Sequence, residues 1–204
     1  MSPSATTELS VDTLRAVLSH MIVRTRECEE ELNALDAQLG DGDLGSTLVS
    51  VAGAVESACN ALPQDWGAAL KHLAGVIARV SGSSFTSLLM LGLSNAGQSL
   101  SGKTKLSAAE SSEAWRAALS AMLAVSGAQL GDKTMLDVIA VIAEAQPDHP
   151  LVERISRTIE QYRPMRCRVG RARVASERSM GRDDPGMIAM LRLVEGATQS
   201  RAAR

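Results

Sequence analysis

Residues 36–47 of this 204-residue chain read DAQLGDGDLGST, which places Asp36, Asp41 and Asp43 close together among three glycines. A turn through the glycines would bring the three carboxylates toward one point. Carboxylates gathered in this way repel one another unless a cation lies among them. Hard oxygen ligands in small number suit Mg²⁺, which keeps waters and leaves positions for phosphate oxygens. The stretch therefore predicts a magnesium site at the end of a helix over Glu29–Leu39.

The residues that follow, Leu44–Thr47, begin an apolar run with helical spacing. The first N–H groups of a helix have no partner within it and the helix dipole is positive there, so this helix start would attract phosphate. An ordinary turn and N-cap explain the same residues, because Asp-Gly pairs and Ser or Thr before an apolar run are common in both. The stretch alone leaves both interpretations open. It excludes an EF-hand, since no acidic residue stands twelve positions into the loop.

The composition favours an all-α fold in a single domain over residues 1–204. Hydrophobic residues make up 45% of the chain but aromatic residues only 2%, so the core must be aliphatic, unlike that of most sandwiches or barrels of strands. Short loops between consecutive helices imply antiparallel neighbours. Helical spacing predicts a first helix capped by Ser10 or Asp12, followed by helices over Glu29–Leu39, Leu44–Ala61, Trp66–Val80, Phe85–Leu100, Ser111–Val125, Met135–Ala145, Leu151–Arg163 and Pro185–Gln199.

Charge and cysteine usage narrow the classes of function. A net charge of −2 gives no overall field that would attract nucleic acid or an anionic membrane. The three cysteines have no metal-binding spacing, and their odd count indicates reduced thiols. Met1–Asp12 lacks the features of a signal peptide, and the longest apolar run, Leu88–Leu93, is too short to span a bilayer. We expect a cytoplasmic protein that binds neither nucleic acid nor membrane.

Three further stretches carry polar groups at predicted helix starts or in loops. Ser81–Ser84 reads SGSS and is either an anion cradle or a simple cap. Gly131–Asp137 reads GDKTMLD and is either a helix start capped by Thr134 or Asp132, or a turn beside a nucleotide with Met135 against the base. Gly170–Gly186 holds several arginines in a long irregular loop, which is either a solvated charged loop or a phosphate-binding one.

Gly97–Thr104 fits the pattern G-x-x-x-x-G-K-T. A true phosphate-binding loop of this kind follows a buried strand and begins a helix within a βαβ unit. The surrounding pattern is helical, so we interpret this match as a loop between two helices.

Taken in order, these stretches resemble the nucleotide-binding L-type subunit of dihydroxyacetone kinases. The family pattern is L-D-x-x-x-G-D-G-D-H-G, G-G-x-S-G, G-D-K-T-M-L-D and G-R-A…R-S-x-G-H-x-D-P-G. This chain carries its counterparts at Leu35–Gly45, Ser81–Phe85, Gly131–Asp137 and Gly170–Gly186. The likeness covers nearly the whole chain, and GDKTMLD is its most specific part.

The resemblance implies an eight-helix antiparallel barrel with a nucleotide, ATP or ADP, at one end. It implies that Asp36, Asp41 and Asp43 hold two Mg²⁺ ions and assigns no catalytic side chain. By the same likeness, phosphates are cradled by Leu44, Gly45, Ser46, Thr47, Ser83 and Ser84, and the nucleotide is enclosed by Met135, Arg171, Asp184, Pro185 and Gly186.

The resemblance also implies a partner. In that family a separate K-type subunit holds the short ketose, such as dihydroxyacetone or a tetrulose. Phosphate comes from exchangeable ATP, or from a permanently bound ADP recharged by a phosphotransferase-system protein. We expect a homodimer, and the alternative function is a nucleotide-loaded regulatory or carrier subunit with little turnover. Four departures from the pattern bear on substrate choice and turnover: Leu44 and Arg182 for histidines, Phe85 for glycine, and Val174–Ser176 for an aromatic-containing stretch.

Overall fold

The computed structural model describes residues 8–145, 150–169 and 176–202, with the backbone alone for residues 200–202. The described residues form nine helices: α1 (Val11–Glu27), α2 (Glu29–Leu39), α3 (Leu44–Cys59), α4 (Trp66–Val80), α5 (Ser84–Ser99), α6 (Ala108–Ser126), α7 (Met135–Ala143), α8 (Leu151–Tyr162) and α9 (Pro185–Ala202). Two short strands that the sequence did not predict, β1 (Leu9–Ser10) and β2 (Lys105–Leu106), pair antiparallel. The predicted all-α fold class is confirmed.

The first two helices are segments of one interrupted rod. The Cys28 N–H donates to Arg24 O at 3.2 Å, and the Cys28 carbonyl accepts from Leu32 N–H at 3.0 Å, so helical hydrogen bonding continues across the break. Both segments pack on α3 and on α9. Counted as rods, the nine helical segments therefore make the eight-helix arrangement that the resemblance implied.

The rods close into a ring around an aliphatic core. Each of α3 to α7 packs on the next, α9 packs on α7 and on α1, and α8 lies against α7 and α9. Val138, Ile139, Ile155 and Met187 are fully buried in the main apolar cluster. Among the described residues, no helix combines the length and apolar character needed to cross a membrane.

Antiparallel packing places the loops at two ends of the barrel. The segments after α2, α4, α6 and α8 lead into α3, α5, α7 and α9 at one end, which we call the aspartate end because it carries Asp36, Asp41 and Asp43. The remaining loops lie at the opposite end with β1 and β2. There Trp66 Nε1–H donates to Leu9 O at 3.2 Å.

Helix starts follow from capping side chains. Ser10, Asp65, Ser83 and Thr134 each accept a backbone N–H at the start of α1, α4, α5 and α7. Of the alternative caps predicted for α1 and α7, the structure uses Ser10 and Thr134. The start of α6 was predicted at Ser111 but lies at Ala108, because Ser107 and Glu110 form a capping box.

The G-x-x-x-x-G-K-T match has the inter-helix position predicted for it. Gly97 belongs to α5, and the turn that follows passes through Gly102 at φ +82°. The Lys103 ammonium is paired with Glu110 at the start of α6. The segment before this loop is a helix rather than a strand, and the loop lies opposite the aspartate end.

Candidate cation and nucleotide site

Three carboxylates meet at the aspartate end. Asp36 lies in the last turn of α2, whereas Asp41 and Asp43 lie in the loop before α3. Each offers a carboxylate oxygen, and these oxygens all lie within 4.8 Å of one another. Asp36 is half-buried and the other two are exposed. Hard oxygen donors gathered this closely fit a small divalent cation.

The loop backbone builds this cluster. Asp36 Oδ2 accepts from the Gly42 N–H at 2.9 Å and from the Asp43 N–H at 3.1 Å. Gly42 has φ +82°, a conformation that favours glycine. A Cβ at Gly40 would lie 2.3 Å from Asp36 Oδ1. Gly42 therefore suits the turn that folds the loop back onto α2, and Gly40 leaves room for the Asp36 carboxylate.

The start of α3 offers backbone groups more than side chains. Leu44 is buried in the core, so its side chain is not offered to a ligand at this end of the barrel. A Cβ at Gly45 would lie 2.1 Å from Glu29 O, so this glycine lets α3 pack closely on α2. The Leu44 and Gly45 amides are the first two of the helix, positions without a partner inside a helix. Thr47 N–H donates to Asp43 O at 2.9 Å.

Ser46 is oriented toward α2. Its N–H donates to Asn33 Oδ1 at 3.1 Å, and its Oγ donates to Glu29 Oε1 at 3.0 Å. These bonds anchor the start of α3 to α2. The side chain of Ser46 thus has partners on α2 in this state.

Hydroxyl groups cluster at the start of α5. Ser83 Oγ accepts from the Thr86 N–H at 3.3 Å, and Ser81 Oγ accepts from the Ser83 N–H at 3.2 Å. Thr86 is fully buried, and its hydroxyl lies 3.0 Å from Ser81 Oγ. Ser84, the first residue of α5, is exposed. The helix start is therefore capped internally, with Ser84 facing out.

The starts of α5, α7 and α9 converge. A Cβ at Gly186 would lie 3.6 Å from Met135 Cβ and 3.7 Å from the Phe85 ring. Met135 and Pro185 are buried, whereas Phe85 is half-buried and packs where the family pattern has glycine. Arg171, the remaining residue predicted to enclose the nucleotide, lies outside the described residues.

Asp184 caps α9 and has a perturbed pKa. Its Oδ1 accepts from the Met187 N–H at 2.8 Å. Burial and, to a smaller extent, the nearby charge of Asp137 raise the pKa of Asp184 to about 6, against the opposing effect of the Met187 N–H and the Lys133 charge. This carboxyl therefore titrates closer to neutral pH than an ordinary aspartate.

Residues 163–169 and 176–184, the described parts of the segment between α8 and α9, lie against α2, and we call them the α8–α9 connection. Arg178 Nη2 donates to Gln38 O at 2.8 Å, and Arg182, which replaces a family histidine, donates to Gln38 Oε1. Leu39 and Cys167 are buried against each other. These contacts lie within three residues of Asp36, so the connection is tied directly to the helix that carries the cluster.

The turn before α7 contains a residue whose place the sequence did not reveal. Asp137 accepts from the Gly131 N–H at 2.7 Å and from the Thr134 N–H at 2.8 Å, which closes the turn. Lys133, inside this turn, has φ +62° and is 1% exposed. A charged residue between Gly-Asp and Thr is typical of an exposed turn, so no local pattern indicated its burial.

Fold and site together define a class: an all-helical barrel with carboxylates gathered beside helix starts at one end. Residues 38–199 match the DAK2 domain, and the chain belongs to this family. The family predicted from the motifs is thereby confirmed.

Relatives and solved structures agree with that family. The chain is 32% identical over 180 residues to L-erythrulose 1-kinase of Mycolicibacterium smegmatis, a match that covers 82% of this chain and 32% of the relative. It is 34% identical over 175 residues to triokinase/FMN cyclase of Homo sapiens, covering 79% and 30%. The chain thus spans about a third of the length of these relatives.

The fold is similar to that of dihydroxyacetone kinase from C. freundii. The TM-score is 0.75 at 24% identity for the native form, over 98% of this chain and 36% of that one. For the complex of that kinase with AMP-PNP and Mg²⁺ the TM-score is 0.74 at 23% identity, over the same shares.

Proposed function

We propose that this chain is the phosphoryl-transfer subunit of a dihydroxyacetone-type kinase. It would move phosphate from Mg-bound ATP, or from a permanently bound and recharged ADP, to a short ketose. The observation that carries the proposal is the convergence of Asp36, Asp41 and Asp43, with oxygens within 4.8 Å of one another beside the start of α3. The kinase names of the relatives and the nucleotide and Mg²⁺ bound to the C. freundii enzyme support it.

Different residues of the chain would bind the metal ions, orient the phosphate oxygens and enclose the nucleotide. Asp36, Asp41 and Asp43 would hold two Mg²⁺ ions, and the amides at the start of α3 with Ser83 and Ser84 would orient phosphate oxygens. When bound, Mg²⁺ neutralises polyphosphate charge and clamps its oxygens, which is the main requirement of phosphoryl transfer. Met135, Arg171 and Asp184–Gly186 would enclose the nucleotide.

We propose that the acceptor is held outside residues 1–204. The chain covers about a third of relatives such as L-erythrulose 1-kinase, which leaves most of each relative without a counterpart here. We propose a K-type subunit that holds dihydroxyacetone or a tetrulose, with residues 1–204 as a single nucleotide-binding domain and a homodimer as the assembly. A phosphotransferase-system donor would be required only if ADP stays bound.

A carrier or regulatory subunit with little turnover is the competing function. The departures at Leu44, Phe85 and Arg182 support this alternative, because they would lie around the phosphates rather than at the aspartates. Turnover of the ketose with the partner subunit separates the two, because a carrier shows little. Identification of any co-purifying nucleotide, with its exchange rate, tells whether ATP exchanges or ADP stays bound.

The direct test replaces Asp41 or Asp43 by asparagine and measures Mg-ADP binding by calorimetry. Loss even of groups that only support a metal ligand typically weakens binding about 10–100-fold, so loss of a ligand should cost at least as much. Kinase activity with the partner subunit should disappear. The apo melting temperature should stay level or rise, because each change relieves repulsion among carboxylates.

Asp65→Asn is the matched control. Asp65 caps α4 at the opposite end of the barrel, and asparagine caps a helix about as well. It should leave Mg-ADP affinity unchanged. Affinity like that of the wild type in both cluster variants would remove the cation site and the kinase proposal with it.

A further inference from the structure

Lys133 is a buried lysine whose hydrogen-bonding capacity is filled. It is 1% exposed. Its Nζ donates to Arg163 O at 3.0 Å, Met165 O at 2.8 Å and Ser179 O at 2.7 Å. An ammonium group has three donors and no acceptor. All three are therefore used on backbone carbonyls.

This geometry argues against phosphate binding by Lys133. A lysine in a turn beside a phosphate site would ordinarily extend its ammonium toward the ligand. Here the ammonium lies inside the protein with no donor left over. Burial lowers the pKa of Lys133, while the neighbouring Cys167, Asp184 and Asp183 act in the opposite direction. The buried charge is compensated by carbonyl dipoles and these acidic groups rather than by a ligand.

The three carbonyls belong to the two limbs of the α8–α9 connection. Arg163 and Met165 lie on the limb that leaves α8, and Ser179 lies on the limb that returns toward α9. Further bonds join the same limbs: the Cys167 N–H donates to Ser179 Oγ at 2.8 Å, and the Gly181 N–H donates to Arg163 O at 2.9 Å. From the turn before α7, the Asp132 carbonyl accepts from the Arg168 N–H at 3.3 Å on the leaving limb, whereas the Lys133 ammonium bonds to both limbs.

The returning limb leads straight into the start of α9. Arg163 forms a bidentate ion pair with Asp183, with Nε–Oδ1 and Nη2–Oδ2 distances of 2.7 and 3.1 Å. Asp184 and Gly186 follow at once. The path from the Lys133 ammonium to these residues therefore runs through a few directly bonded groups.

We propose that Lys133 is a positioning residue: its ammonium holds the two limbs of the α8–α9 connection together and so fixes where Asp184, Pro185 and Gly186 lie. The inference rests on the proposed function for the identity of the ligand, a nucleotide. It assigns Lys133 a part in binding although the side chain touches no ligand. It also implies that the connection is ordered before a nucleotide arrives.

Lys133→Met tests the proposal, because methionine has nearly the same length and no charge. Amide hydrogen exchange in the apo protein should become about tenfold faster or more within 163–169 and 176–184, since one hydrogen bond to a charged group is worth at least that factor. Exchange in α3 to α6 should not change. Mg-ADP affinity should fall about tenfold, while affinity for Mg²⁺ alone stays the same because the aspartates are untouched.

Lys105→Met is the matched control, since Lys105 is exposed at the opposite end and pairs with Glu8. It should change neither exchange in the connection nor Mg-ADP affinity. If Lys133→Met fails to fold, Ser179→Ala replaces it, because this change removes the Cys167–Ser179 bond between the same limbs. The same local pattern is expected with a smaller change.

Three results overturn the inference. One is unchanged exchange in the connection, and another is exchange that rises equally throughout the protein, which indicates a purely structural role. The third is faster local exchange with unchanged Mg-ADP affinity. Failure of the wild type to bind Mg-ADP is a separate result: it refutes the proposed function, and the exchange data then decide alone whether Lys133 orders the connection.

Discussion

Aspartates in this protein differ in role because their neighbours differ. Asp36 accepts hydrogen bonds from two loop amides, Asp43 precedes α3 without a capping bond from its side chain, and Asp184 caps α9. The gathering of Asp36, Asp41 and Asp43 could be predicted, because the intervening glycines make a local turn. The burial of Lys133 could not, because its partners lie 30 to 46 residues away in sequence.

Asp184→Asn should stabilise the protein near neutral pH. The pKa of Asp184 is about 6 in the folded protein against an ordinary 3.8, so between these values the folded state binds more protons than the unfolded state. The free energy of unfolding therefore falls as pH rises through this window. Asparagine removes that penalty and still caps α9. Lys133, Asp137 and Cys167, which surround the Asp184 side chain, are unchanged in this variant.

The expected gain at pH 7.5 is about 1 kcal/mol, since one pKa unit is worth about 1.4 kcal/mol and partial exposure reduces the effect. At pH 3 or below the gain should vanish, because the wild-type carboxyl is then protonated in both the folded and the unfolded state. Chemical denaturation at both pH values measures it. A stability difference that is the same at both values would contradict a raised pKa.

Helices were predicted well where their caps are local. Ser10, Asp65 and Thr134 are residue types that favour helix starts, and in the structure each accepts a backbone N–H of its helix. The junction at Cys28 was not recognised as a break within one rod, because that depends on how α1 and α2 pack together on α3 and α9. The burial of Leu44 was not predicted for the same reason: it depends on how the helices pack together.

Gly45→Ala tests the close packing of α2 and α3. The added methyl group would lie 2.1 Å from Glu29 O, a backbone atom that cannot move aside easily. Overpacking of this kind typically costs about 1–3 kcal/mol of stability. Gly53→Ala, on the same helix, is the control: nothing lies within 4 Å of its Cβ position.

Gly53→Ala should stabilise the protein by about 0.5–1 kcal/mol, because alanine favours the helix interior. Thermal unfolding of both variants measures the pair. Equal effects from the two substitutions would show that α3 does not approach α2 as closely as described.

At the scale of the whole molecule, the ring of antiparallel rods places the candidate site and the G-x-x-x-x-G-K-T loop at opposite ends. The aspartates and the starts of α3, α5, α7 and α9 share one end, and the G-x-x-x-x-G-K-T loop lies at the other. The order of motifs along the chain predicted this grouping through the family resemblance. Spacing alone could not, since it says nothing about which loops share an end.

Lys103→Ala should therefore leave Mg-ADP affinity within about twofold of the wild type, whereas loss of a principal phosphate contact would cost tenfold or more. Its ammonium pairs with Glu110 beside α6 and lies far from the cluster. Calorimetry on the variant measures the effect. A large loss of affinity would instead identify the loop as a phosphate-binding one.

Packing of α9 on α1 has a consequence for synthesis. Arg24 pairs with Glu195 at 2.7 Å, and Gly196 brings the backbones together, since a Cβ there would lie 2.8 Å from Met21 Cα. A ribosome makes α1 and α7 before α9, so the apolar flanks that α9 covers on α1 and α7 stay in water until α9 has been made. Such late pairing of distant segments slows folding and exposes nascent chains to aggregation. The Asp36–Asp43 turn, by contrast, is contained in a few residues and can form while the barrel is still open.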